Sequence, residues 1–170
     1  MPRIIRPVGP RPYAVAKDRA MTGWRDASRR IRMSQDVIFT PMGALAAITF
    51  LVLLLIPVRR FRASFKGEVG ASDFKHGESA RVPGHVSIPN RNYMNLLELP
   101  MLFYVVCLMF FVAQRVDSEA ITLAWLYVGL RTVHSLIHLT YNNVFHRLSV
   151  FALSNFALIG LWVLFFFGGY

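Results

Sequence analysis

Four apolar runs constrain this chain more than any other feature of it. They cover about residues 37–58, 90–113, 118–139 and 144–167. A helix rising 1.5 Å per residue needs about 20 residues to cross a hydrocarbon layer about 30 Å thick, and each run is long enough. Lipid offers no hydrogen bonds to the backbone, so only helices and closed barrels span it. Continuous apolar runs, rather than alternating ones, select helices. The expected fold is therefore all-α: a multi-pass integral membrane four-helix bundle over residues 37–170, preceded by a separate segment, residues 1–36.

Charge placement supports this division. The formal net charge is +10. Residues 1–36 hold nine Lys/Arg against three acids, and residues 59–91 hold seven against three. The surplus lies beside the first span, where it meets anionic lipid headgroups. Membrane lipids are thus the expected partner, and nucleic acid is not, because no nucleic-acid-binding module is visible. Pro2, Pro7, Pro10 and Pro12 favour an extended arm, and residues 14–33 read as a basic helix lying at the headgroup level. Pro57 marks the expected end of the first span, with Arg59, Arg60 and Arg62 anchoring it. A polar loop is expected over residues 63–90, and Pro100 bends the second span. Cys107 stands alone in the chain, so no internal disulfide forms and the thiol reads as a small hydrophobe.

Three polar sets interrupt the apolar pattern, and antiparallel spans bring them to one membrane face. Arg91, Asn95 and Glu98, spaced i, i+4, i+7, share one helix face. Arg131, His134 and His138 share another on the third span. His146 and Arg147 head the fourth span, after Tyr141, Asn142 and Asn143. Arg131 lies well inside the bundle, where an unpaired charge is costly, and Glu98 is its expected counter-charge. The set carries net positive charge, which points to an anionic ligand held by Arg91, Arg131 and Arg147. His134 and His138 have the i, i+4 spacing of a zinc pair, but Ser135 stands where the protease motif needs glutamate. No metal site is assigned.

At these residues the sequence resembles the MAPEG family, the membrane-associated proteins of eicosanoid and glutathione metabolism, over about residues 37–167. The Arg-x-x-x-Asn-x-x-Glu motif followed by Pro is present as Arg91, Asn95, Glu98 and Pro100. The resemblance implies glutathione as cosubstrate, bound between subunits of a homotrimer by Arg91, Asn95, Glu98, Arg131, His134 and His138. It implies Arg147 as the catalytic donor that stabilises the glutathione thiolate. His138 replaces a tyrosine of the family pattern; Leu148 and Phe151 replace a serine and a second tyrosine.

Two functions from different classes follow. One is a glutathione-dependent transferase or peroxidase acting on lipophilic substrates. The other is a non-catalytic accessory or scaffold subunit of a larger membrane complex, to which the basic arm would dock.

Overall fold

The computed structural model describes residues 34–168. The basic arm and its expected interfacial helix over 14–33 lie outside the described residues. The described residues form five α-helices: α1 (Phe39–Phe65), α2 (Gly84–Leu97), α3 (Pro100–Val112), α4 (Ser118–Leu139) and α5 (Val144–Phe167). Short 3-10 turns, Gln35–Ile38 and Ala71–Phe74, precede α1 and lie in the first loop. Because α2 and α3 form one interrupted span, four helical segments among the described residues are long and apolar enough to cross a membrane. The protein is a multi-pass integral membrane protein.

The first span outlasts its expected end. Pro57 lies inside α1, and the helix continues to Phe65. Its stop is Gly67, whose φ of 73° is the left-handed conformation open to glycine. Gly67 N–H bonds the Ser64 carbonyl and Glu68 N–H reaches back to Ala63, each at 2.9 Å, the paired bonds that close a helix end. At 27 residues, α1 is about 40 Å long and overruns a hydrocarbon core of about 30 Å. The surplus turns carry Arg59, Arg60 and Arg62, which places the guanidinium groups among the headgroups.

The loop is correspondingly shorter than 63–90. The second span begins at Gly84 rather than near Asn90, because its first turn has a core of its own. Val86 is buried with Ala63 and Val69, and Phe74 and Val82 pack against them. Arg60 pairs with Glu78 at 2.9 Å and lies over the Phe74 ring, while His85 meets Glu68 at 3.0 Å. Asp73 closes the loop on itself: its carboxylate accepts from Gly70 N–H and Ser79 Oγ, both at 2.9 Å, and from Arg81 Nη2 at 3.1 Å. The Gly70 N–H, then the Ser79 hydroxyl, then Arg81 hold this carboxyl below its ordinary 3.8. Its contribution to loop stability is therefore complete above that value and is lost as pH falls through the lower, folded-state pKa. The protection of the Gly70 and Ser79 amides, measured as the ratio of intrinsic to observed exchange at each pH, is expected to hold from pH 7 down to pH 5 and to fall below about pH 3.8, with that of the apolar spans unaffected. A loss of protection already between pH 7 and 5 would contradict this.

The bundle core alternates along the spans. Ile38, Leu45, Leu96, Phe103, Phe110, Ala124, Tyr127 and Leu161 are buried. Tyr127 stacks on Phe103 with ring centres 4.7 Å apart. Phe50, Leu54, Phe156 and Phe166 are exposed, as lipid-facing side chains are. The Gln35 side chain ties the start of α1 to the α3–α4 link by two bonds to the Val116 backbone, 2.8 and 3.2 Å. The Asp117 carboxylate caps α4 through Ala120 N–H.

Candidate functional site

The site begins at the break between α2 and α3. The backbone ladder runs from Glu98 N–H to the Met94 carbonyl and resumes from Met101 N–H to the Glu98 carbonyl. Pro100 lacks the N–H that would continue it and opens α3 at its first position. The bend expected at this proline is thus a full interruption, centred on Glu98 and Leu99. A carbonyl released inside a membrane bundle needs a new donor. The Asn95 carbonyl finds one on α4: Arg131 Nη2 donates to it.

Arg131 is completely buried. Its Nε and Nη1 have no hydrogen-bond partner. The expected ion pair with Glu98 does not form among the described residues; Glu98 is exposed at the break. Glu98 keeps a helical φ of −72° and the last bond of α2, and the backbone leaves helical geometry only after it, at ψ of −88°; the break leaves its side chain exposed while Arg131 turns to the Asn95 carbonyl. The guanidinium lies 5.6 Å from the centre of the Phe151 ring on α5, a cation–π arrangement that favours the charge without neutralising it.

One turn and two turns further along α4, His134 and His138 are also buried. The two rings stand edge to face at 6.0 Å, and His134 lies 5.7 Å from Phe151. Their Nδ1 atoms have no partner. Arg147, half-buried at the head of α5, donates from Nη1 to Asn142 Oδ1 at 2.7 Å and approaches His138 Nε2 at 3.5 Å. A guanidinium only donates, so this contact requires His138 Nε2 to accept, and the neutral ring then carries its proton on the unpartnered Nδ1. Asn142 holds its side chain there because its backbone is left-handed, φ 46°, a conformation asparagine tolerates. Its N–H closes the end of α4 on the Ile137 carbonyl at 2.8 Å. The turn between α4 and α5 therefore aims Arg147 at the bundle.

Asn95, His134, Arg147, Val144, Leu148 and Phe151 line a cleft of about 220 Å³. Of the residues expected from the sequence, Asn95, His134 and Arg147 meet directly in this cleft, with Arg131 and His138 behind its wall. Arg91 is exposed on α2 and lies outside the lining, as does Glu98. His146 turns to Tyr141, with its Nδ1 3.1 Å from the hydroxyl.

One pair of residues was not legible in the sequence. Asn92 and Ser135 are both buried, and Asn92 Nδ2 donates to Ser135 Oγ at 2.5 Å, joining α2 to α4. An asparagine in a membrane span is itself a signal of interhelical bonding, but its pairing with Ser135 depends on how α2 packs on α4, which no local pattern records.

The arrangement sets one imidazole, His134, and the Arg147 guanidinium on a small cleft, with the unpaired nitrogens of the buried Arg131 guanidinium and a second imidazole, His138, behind its wall. It suits a ligand with carboxylates and amides. The MAPEG family profile matches residues 38–167. No curated protein and no solved structure is similar enough to the chain to match.

Proposed function

We propose, from the premise that this chain belongs to the MAPEG family, that it is a glutathione-dependent transferase or peroxidase acting on lipophilic substrates. The observation that carries the reading is Arg131: completely buried and, among the described residues, without an acid in contact and with two nitrogens unpaired. A charge held this way in a membrane bundle is costly unless it meets an anion that arrives from outside. Glutathione brings two carboxylates and two amides. Arg131, Arg91 and Asn95 would hold these groups, with His134 and His138 as neutral neighbours and Glu98 beside the ammonium end. A homotrimer would supply the second wall.

Arg147 would carry the chemistry. A free thiol has a pKa of about 8.5, and only the thiolate attacks. A guanidinium near the sulfur favours the anion, and the dipole at the head of α5 adds to it. The thiolate then adds to an electrophilic carbon, or attacks a hydroperoxide oxygen so that the O–O bond breaks, the alkoxide leaves and takes a proton from water, and a second glutathione converts the sulfenic acid to the disulfide and water; the lipophile enters from the membrane. Purified protein in mild detergent is expected to bind glutathione saturably in the millimolar range or tighter, measured by equilibrium dialysis. Absence of binding at 10 mM, on the order of the weakest useful affinity for a cosubstrate, contradicts the reading.

One observation favours a second reading, an accessory or scaffold subunit. Leu148 and Phe151 line the cleft where the family pattern carries hydroxyl groups, which leaves fewer donors for a thiolate. On that reading the protein copurifies with other subunits, and deleting residues 1–33 releases it.

A further inference from the structure

Beyond the polar cleft, α3 and α5 leave a trench of about 470 Å³ between them, walled by Leu99, Leu102, Leu158, Trp162 and Phe166. A single side-chain amide, Asn155, lines it. The Oδ1 atom of Asn155 is buried and has no hydrogen-bond partner. An unpaired amide oxygen surrounded by hydrocarbon is costly. Residue spacing places the trench next to the cleft. Arg147, Phe151, Asn155, Leu158 and Trp162 follow one another at three- and four-residue steps along one face of α5. Cleft and trench thus succeed each other along that face as a groove, cationic at its head and apolar beyond it, with one amide part way down. Eight residues separate Arg147 from Asn155, about 12 Å along the helix axis, or about ten carbons of an extended acyl chain.

We propose that this groove binds a long-chain acyl lipid that carries its anionic or reacting end near Arg147 and a mid-chain hydroxyl against Asn155. Charge complementarity sets the direction of the chain. The amide sets the hydroxyl: Oδ1 needs a donor and Nδ2 offers one, and a hydroxyl both donates and accepts whichever way the amide is turned, whereas a carbonyl only accepts. The inference names the class of the lipophilic substrate and rests on the glutathione reading for turnover; binding stands apart from it.

The test is equilibrium binding of 12-hydroxyoctadecanoic acid and octadecanoic acid to the full-length protein in mild detergent, without glutathione. The wild type is expected to prefer the hydroxy acid about tenfold, the effect of one buried hydrogen bond. Asn155→Leu removes that preference, with octadecanoic acid affinity and oligomeric size unchanged. Trp162→Ala, which alters the apolar wall, weakens both acids alike. A wild type that does not discriminate overturns the proposal, as does a preference that survives in Asn155→Leu. A change in oligomeric size in Asn155→Leu with the preference intact also overturns it and assigns the amide to contact with another copy. Glutathione binding measured on the same preparations separates the two readings. Its presence without hydroxyl preference defeats this proposal alone, and its absence with the preference intact defeats the catalytic one alone.

Discussion

Replacing Arg147 with alanine is expected to lower turnover by about two to three orders of magnitude, the usual effect of removing a charge that stabilises a developing or attacking anion. Glutathione affinity and oligomeric size should change little. The structure explains the separation. Arg147 is half-buried and held by Asn142 Oδ1 and His138, at the edge of the bundle and not in its core. Its removal leaves the helix head capped, because Asn143 Oδ1 accepts from Phe145 and His146 N–H at 3.0 and 3.1 Å. Arg147→Lys should recover part of the rate, since a point charge remains but the forked geometry is lost. The check is initial rate against thiol pH in an assay with a lipophilic electrophile. Loss of the thiolate-dependent rise at neutral pH supports the role, and an unchanged profile contradicts it.

The second large effect has opposite signs for binding and stability. Arg131→Met is expected to abolish glutathione binding and, without ligand, to raise the stability of the bundle by about 1–3 kcal/mol, because a buried, unneutralised charge is replaced by an apolar group of similar length. The Asn95 carbonyl loses its donor in this variant, which limits the gain. A residue kept only to join α2 to α4 would behave otherwise: its removal would destabilise the protein. Thermal unfolding with and without glutathione distinguishes the cases. The wild type gains stability from the ligand through mass action, and Arg131→Met starts higher and gains nothing.

Much of this molecule was legible in its residues, and the failures share a cause. The spans at 118–139 and 144–167 were readable because short polar links with strong caps bound them; Asp117 and Asn143 perform the capping seen in the structure. The ends expected at Pro57 and Asn90 differ from the structure because proline is a local signal and tertiary contact overrides it here. A membrane helix absorbs Pro57, and the true stop is the left-handed Gly67. The start of α2 is fixed by Val86 packing on Ala63 and Val69, contacts between segments that no local pattern records. The cationic cluster was visible from spacing alone. Its internal pairing was not, because the spacing argument treats the second span as one helix. Pro100 breaks that span, frees the Asn95 carbonyl and gives Arg131 that backbone acceptor instead of a carboxylate.

Ligand binding turns on that unneutralised guanidinium, and a structure of the protein determined in the presence of glutathione tests this most directly. The expected result is a ligand carboxylate within hydrogen-bond reach of Arg131 Nε or Nη1, the atoms now without partners, with the Asn95 carbonyl still held and the thiol on the Arg147 side of the cleft. Glutathione absent from the cleft, or Arg131 turned to pair with Glu98, would contradict it.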